Sequence, residues 1–483
     1  MENSYQKFAR DVLIIGVANA LVALSSIILL PLITKTLGAH DYGIWAQVHV
    51  TMNLVVAFVG LGLPFAITRF LPAKTNRGEI REEFYSVLLV VSLATAVVSI
   101  IVIVFAGFIA GALFAGATDV VRITGLIILA SSLGQVFLSL FRAFRQMKEY
   151  AVFIIANTYV QIGLIAYLVS HGYGILSVVL AVLAVTTVIL LVLLFSVRSQ
   201  LGISRPRFHR IREYLSFGLP TIPGSISTWV VASSDRYVIG YFLGATSVGV
   251  YSAAYGIGNI IAMAAGVLVF VLPPTLSRLY DQGSMEEVKI HLRYSLKYLL
   301  ALAIPFVFGS AVLAEPVLRL FSTAGIASEG YLIVPLVALS ALFWGIYVVV
   351  MHILVLVKKM RILALIWGIS ALVNLGLNIA IVPRVGILGA AITTLIAYGV
   401  ALGLTTYYSF KEFRFPIDWR FVAKSLIASG AMSAALWAIA PEGTLATILT
   451  IVAGLAIYGA IVLLLKGFKK EEFKFFKELF QRP

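Results

Sequence analysis

The sequence predicts an all-α, polytopic membrane protein of about fourteen transmembrane helices, arranged as two parallel six-helix lobes plus two C-terminal helices. Three observations predict it. Hydrophobic residues make up 61% of the chain and charged residues 12%, against about 45–50% and 25% in soluble domains. Apolar runs near the roughly 20 residues that cross a bilayer core recur along the whole length. The chain also repeats itself. Leu37-Gly38-Ala39 and Gly43-Ile44-Trp45 answer to Leu243-Gly244-Ala245 and Gly249-Val250-Tyr251. Leu63-Pro64-Phe65-Ala66-Ile67-Thr68-Arg69 answers to Leu272-Pro273-Pro274-Thr275-Leu276-Ser277-Arg278, and Gly174-Ile175-Leu176 to Gly386-Ile387-Leu388. Three matches in one order, at offsets of 206 to 212, mark two copies of one unit. In a membrane protein this predicts a carrier, because related lobes can rock about a site between them.

In chain order the runs fall at 11–34, 42–68, 83–112, 119–141, 150–170 and 174–197, then 213–243, 246–276, 290–314, 330–357, 361–382 and 386–409, and last 419–440 and 444–465. The connections are short and leave no room for a soluble domain. Residues 1–197 form the N-lobe with six spans, 198–212 a cytoplasmic linker, and 213–412 the C-lobe. Residues 413–466 are an appendage of two spans. Six is an even number, so the second copy starts on the side where the first did, and the repeats are parallel rather than inverted. The first run is long and lacks a small-residue cleavage motif, so it is expected to be a retained helix. In the tail, 467–483, Phe473, Phe476 and Phe480 recur at helical spacing beside Lys469, Lys470, Lys474 and Lys477. That pattern predicts an amphipathic helix on the cytoplasmic membrane surface.

The formal net charge is +15, yet its placement argues against nucleic acid. When loops are assigned alternately to two sides, one side collects 31 of the 36 basic residues. Arg142, Arg145 and Lys148 belong to it, as do Arg205, Arg207, Arg210 and Arg212 in the linker. The other side receives Lys35, Arg319 and Arg384. Over short loops such asymmetry sets orientation, so both termini are expected to be cytoplasmic, in the cell membrane. The excess also attracts anionic lipid heads. Cysteine is absent, which excludes disulfides, thiolate catalysis and cysteine metal sites. No H-E-x-x-H, P-loop or G-x-S-x-G occurs, so neither a catalytic role nor direct ATP drive is expected. No cofactor is expected beyond a coupling ion, H+ or Na+.

One stretch carries a family resemblance. Phe217-Gly218-Leu219-Pro220, Pro223, Trp229, Asp235-Arg236-Tyr237-Val238-Ile239-Gly240, Leu243-Gly244 and Val248-Gly249-Val250-Tyr251 are similar to the signature of O-antigen and related polysaccharide flippases. With fourteen spans as two six-helix lobes plus two, the whole chain resembles the polysaccharide transporters of the multidrug/oligosaccharidyl-lipid/polysaccharide flippase superfamily. The resemblance implies movement of a polyprenyl-diphosphate-linked oligosaccharide from the cytoplasmic to the outer leaflet. Its partners would be that lipid and the membrane lipids, with no nucleic acid, and the chain is expected to function as a monomer. A multidrug, small-solute or cation antiporter and a lipid II flippase share the architecture. A membrane polysaccharide polymerase or ligase would need a sizeable outer loop with acid, base or arginine residues, and the outer loops are short and nearly uncharged.

A diphosphate head crossing a low-dielectric layer needs cations, hydrogen-bonding groups and a lateral opening for the tail. Charges at membrane depth cost about 2.5–3.5 kcal/mol each on insertion scales, which directs attention to Arg236 and Asp235. Neighbours on a helix point about 100° apart, so these two are expected to pair poorly with each other. Arg236 is the candidate diphosphate contact or gate, and Asp235 a candidate titrating carboxylate. Arg69 and Arg278, each five residues after a proline expected to kink its helix, are candidates to draw in a diphosphate at the cytoplasmic mouth. Gln47, His49 and Asn53 in the second span and Asn259 in the eighth are candidate sugar contacts, His49 and Asn53 sharing a face. The scarcity of intramembrane acids favours the flippase over an ion-coupled antiporter.

Overall fold

The computed structural model describes residues 4–468 and 472. Among them there is no strand, and the helices run α1 Ser4–Val59, α2 Leu63–Phe70, α3 Arg77–Val104, α4 Ala106–Leu113, α5 Thr118–Ala143 and α6 Met147–Ser170. They continue as α7 Ile175–Leu201, α8 Ile211–Gly218, α9 Ile222–Leu243, α10 Ala245–Gly258, α11 Ala262–Asp281 and α12 Met285–Phe321. The last are α13 Ala324–Gly330, α14 Ile333–Leu356, α15 Met360–Val385, α16 Ile387–Glu412, α17 Trp419–Ile439 and α18 Thr444–Leu464. In hydrocarbon every backbone polar group must be bonded within its own segment, which is why the apolar runs fold as helices.

By length and composition twelve of these stretches can cross a membrane. Two further facts reconcile that number with fourteen. Helix α1 is two spans joined at Gly38, whose φ of 81° and ψ of −176° are not helical. Helix α9 is long enough, at 22 residues, but its serines and its Asp-Arg pair lower its hydropathy. The repeat is written into the backbone. Gly244, equivalent to Gly38, has φ 83° and ψ 174°. This region is essentially closed to residues with a Cβ, so each copy turns from one span to the next on the same glycine.

Residues 1–252 and 367–393 form one compact unit, and 253–366 with 394–483 a second. In the first, α10 and the second half of α1 touch backbone to backbone. A Cβ on Gly43 would fall on the Ala245 carbonyl, and one on Gly249 on the Ala39 carbonyl, a reciprocal contact between repeat-equivalent residues. Its apolar core gathers Ile33, Trp45, Phe114, Ile127 and Val178. A further cluster forms around Phe84, Phe137, Phe141 and Tyr214.

Segment 198–212 is stitched to α3. The Ser86 hydroxyl accepts from the Arg207 N–H at 2.8 Å, and the Tyr85 hydroxyl donates to the Gly202 carbonyl at 3.0 Å. Glu83 accepts from the Tyr214 hydroxyl at 2.6 Å and pairs with Lys74 at 3.0 Å.

The second unit packs α11, α12, α14, α17 and α18 around Leu292, Leu296, Val349, Phe421 and Met432. At its base lies a buried ion pair: Lys297, 3% exposed, donates to both oxygens of Glu472 at 2.9 Å. Asp418 stands 3.6 Å from Lys297 and caps α17 by accepting from the Phe421 N–H at 3.1 Å. Burial opposes the Asp418 charge, but the Phe421 N–H, Lys297 and Arg293 outweigh it and hold the carboxyl below the usual range. The amphipathic surface helix expected over 467–483 lies mostly outside the described residues; of its start, Phe468 packs on Phe421.

Candidate functional site

Helix α9 places its charges well inside a span. At 1.5 Å per residue its 22 residues cover about 33 Å, close to the thickness of a bilayer core. Asp235 is fully buried and Arg236 is 7% exposed. The expectation that adjacent residues would pair poorly is corrected here. Arg236 Nη1 reaches Asp235 Oδ1 at 2.8 Å while also donating to the Ala232 carbonyl at 2.7 Å. A guanidinium on a long stem can curl back along its own helix, which the 100° argument about Cβ directions leaves out. The same Oδ1 accepts from the Arg236 backbone N–H at 2.9 Å. Asp235 Oδ2 accepts from the hydroxyl of Tyr251, a fully buried residue of α10, and the guanidinium lies 5.2 Å over the Tyr251 ring. The pair is thus folded into the unit in this state, its charges met by hydrogen bonds and an aromatic face.

The second half of α1 closes along α9 as a seam. Gln47 Nε2 donates to the Arg236 carbonyl at 2.8 Å. Thr51 and Tyr237 share a hydroxyl–hydroxyl bond of 2.7 Å, and Trp229 Nε1 donates to the Val50 carbonyl at 3.2 Å. Gly62 lies against Gly218 so closely that a Cβ on Gly218 would sit 2.6 Å from the Leu61 carbonyl. Behind α9, Ser234 donates to Asn374 Oδ1 at 3.3 Å, Asn378 to the same oxygen at 3.1 Å, and Thr393 to Asn378 Oδ1 at 2.7 Å.

The residues singled out from sequence therefore divide. Gln47, Asp235 and Arg236 come together. His49 is half-buried with its ring 4.3 Å from Trp45, and Asn53 is exposed on the same helix. Arg69 is exposed at the end of α2 in the first unit. Arg278 is exposed near the end of α11 in the second, where Asn259 is half-buried in a 3-10 turn, Asn259–Ile261. The prolines before the two arginines act differently. Pro64 opens α2 after a break at Gly60, Leu61 and Gly62, whereas Pro273 and Pro274 lie inside an unbroken α11. Tyr251, Tyr237 and Thr51 were missed. For Tyr251 a signal existed: it stands in the repeated Gly-x-aromatic motif where the first copy has Trp45, and its hydroxyl can donate to a carboxylate.

The second unit offers a different surface. Ala301, Pro305 and Leu313 of α12, Met432 of α17 and Ile451 and Leu455 of α18 line an apolar cleft of about 470 Å³. Leu436 of α17 borders both this cleft and a more polar cavity of about 730 Å³, itself lined by Glu315, Arg319, Glu442 and Thr444. Helix α12 supplies the largest share of the cleft's walls, and α17 and α18 complete it.

Comparison with known proteins agrees with this architecture. Residues 8–280 match the family described as polysaccharide biosynthesis protein, and residues 220–380 match MatE. The chain is 22% identical over 447 residues to Agl15 of Haloferax volcanii, a probable low-salt glycan biosynthesis flippase, covering 91% of this chain and 92% of that one. AglR of the same organism, a probable flippase, is 26% identical over 243 residues, 48% of this chain and 50% of that one. The solved lipid II flippase MurJ, in an inward closed conformation, has the same fold with a TM-score of 0.79 and 18% identity, over 93% of this chain and 98% of that one. An inward-facing multidrug resistance MATE family transporter gives 0.65 and 14% identity, over 81% and 93%. With more than half of its length matched by the first of these families, the chain belongs to the polysaccharide biosynthesis protein family.

Proposed function

We propose that this multi-pass membrane protein is a flippase. It moves a polyprenyl-diphosphate-linked oligosaccharide from the cytoplasmic to the outer leaflet of the cell membrane, by alternating access, with both termini in the cytoplasm. It acts as a single chain and as a transporter rather than an enzyme. Such a substrate is two-natured: its tail is hydrocarbon and its head is polar and anionic. The observation that carries the reading is the apolar cleft of about 470 Å³ beside α17 and α18, which suits a lipid tail and which a carrier of small solutes has no need of. The relationship to Agl15 supports the same substrate class. Arg236 is then the membrane-depth cation that meets the diphosphate once the seam parts, with Arg69 and Arg278 as cytoplasmic attractors. Gln47, His49, Asn53 and Asn259 are the sugar-facing groups. The antiporter reading needs an available intramembrane carboxylate, and Asp235 is engaged by Arg236 and Tyr251 in this state.

The test is reconstitution in liposomes with a fluorescent polyprenyl-diphosphate oligosaccharide. Wild type should deliver it to the outer leaflet. Ser310 of α12 also lines the cleft; Ser310→Trp, which fills it, and Arg236→Ala should each slow delivery at least tenfold while remaining folded. Unchanged delivery in Ser310→Trp would remove the tail's path; cation or drug exchange without lipid movement would favour the antiporter.

A further inference from the structure

Trp229 and Tyr237 sit where aromatic residues of a membrane protein usually do not. Trp and Tyr normally gather at the two membrane–water interfaces. On α9, Trp229 is seven residues from the helix start and Tyr237 six from its end, about 10 Å and 9 Å inside. Their rings stand 5.4 Å apart at 53°, and both residues are half-buried. Each polar tip is held by α1, the indole N–H by the Val50 carbonyl and the phenol by Thr51. Val50 lies within a continuous helix, so its carbonyl has a helical partner to spare it for, and the indole bond is an addition rather than a necessity for α1.

The surrounding composition is equally specific. From Thr221 to Ser234, α9 and the turn before it carry no charged residue but six hydroxyls. Ser234 turns to Asn374, while Thr221, Ser225, Ser227 and Thr228 donate to carbonyls of their own helical turns and keep lone pairs to accept with. Beside Tyr237, the fully buried Gln47 has one side-chain oxygen, Oε1, with no hydrogen-bond partner. A buried acceptor of this kind is stabilised when a ligand hydroxyl reaches it.

Two aromatic faces with polar rims, uncharged hydroxyls and a spare amide acceptor form the chemistry that receives a pyranose ring. Its C–H face packs on an aromatic ring and its rim of hydroxyls needs donors and acceptors. We infer that Trp229 and Tyr237 are the carbohydrate-recognition surface of this protein, taking an uncharged part of the sugar head, with Gln47 Oε1 and the Thr51 hydroxyl as hydrogen-bond partners. In the closed seam the Val50 carbonyl and Thr51 hydroxyl stand in for sugar hydroxyls. The inference rests on the flippase reading for the identity of the sugar's carrier, but its test does not.

Purified protein in nanodiscs is titrated with two probes: a polyprenyl diphosphate bearing a neutral trisaccharide, and the same polyprenyl diphosphate without sugar. Wild type should bind the glycosylated probe more tightly. Trp229→Ala should lose about tenfold in affinity for it, with binding of the bare probe unchanged. Trp229→Phe, which keeps a ring, should retain most of the preference, and Tyr237→Phe should lose about threefold. A structural role alone would weaken both probes together, so the ratio of the two affinities is the deciding number. If wild type binds both probes equally, or if the ratio survives Trp229→Ala, the inference is overturned. Should Trp229→Ala fail to fold, an unchanged ratio in Tyr237→Phe would overturn it instead. Liposome delivery without sugar preference sinks only this surface; sugar preference without delivery sinks only the flippase reading.

Discussion

Leu29 and Leu30 in the first copy of the repeat and Asp235 and Arg236 in the second occupy equivalent positions, 206 residues apart. Sixteen residues on, the first copy has Trp45 and the second Tyr251. Leu30 is buried and Trp45 lies in the apolar core against which Leu29 packs, while Tyr251 gives its hydroxyl to Asp235. The two differences belong together. A carboxylate at this depth needs donors on its oxygens, and the phenol that stands where the first copy has an indole provides one. At the glycines the copies agree down to backbone angles at Gly38 and Gly244 and to the reciprocal contact at Gly43 and Gly249, although Pro64 follows a helix break and Pro273 lies within a helix. A shared scaffold with one polar insertion is the lesson of the comparison.

The strongest way to break it is to disturb what the copies share. Gly43→Val and Gly249→Val would each drive a side chain into the other helix's backbone, and neither backbone can yield as a flexible side chain would. Both variants should lose the monodisperse peak on size-exclusion chromatography, while Gly134→Ala, which meets open space, should keep it. Unequal damage from the two valines would mean the copies do not share the contact.

Next in size is the insertion itself. Asp235→Ala leaves Arg236 buried with the Ala232 carbonyl and the Tyr251 ring but no carboxylate, and should cost about 3 kcal/mol in thermal unfolding. Asp235→Leu combined with Arg236→Leu rewrites the second copy as the first and should recover most of that loss while delivery stays low. If the single change proves as mild as the double, the pair is not an isolated burden on the second copy.

The buried pair of the second unit gives a smaller effect. Glu472→Gln leaves Lys297 with Asp418 3.6 Å away, so a cost of about 2 kcal/mol is expected rather than the full price of an orphaned charge. No change in unfolding would show that Glu472 does not tie the chain's end to α12.

The smallest effect concerns pH. Asp418 has its pKa lowered in the folded state from an ordinary 3.8, so its stabilisation is complete above that value and disappears as pH falls through the folded-state pKa. The stability gap between wild type and Asp418→Asn should therefore be constant from pH 7 to about 5 and narrow below about 4. A gap that widens on acidification contradicts the assignment.

Much of this architecture was legible because the bilayer constrains it so strongly. Runs of Leu, Ile and Val can cross hydrocarbon only as helices, and the loop charges orient them. Helix α9 shows the limit of that logic. Its five serine and threonine hydroxyls and two charges lower its hydropathy, yet those residues are what single it out from the other spans. The Asp235–Arg236 contact was misjudged because Cβ directions say little about a four-bond stem with a terminal fork. The Gln47 bond to the Arg236 carbonyl joins residues 189 apart in sequence, and no local pattern announces it. The cleft could not be read from any one pattern, since its walls come from five separate stretches of chain.

The glycine contact at Gly43 and Gly249 has a mechanical consequence. Helices that interlock through side chains resist sliding and turning, because each knob must climb out of its hole. Here two bare backbones meet, with no knob on either side. Such a contact opposes compression strongly and rotation hardly at all. It is a bearing rather than a weld, and a pivot of this kind lets helices reorient about a point without first being pulled apart.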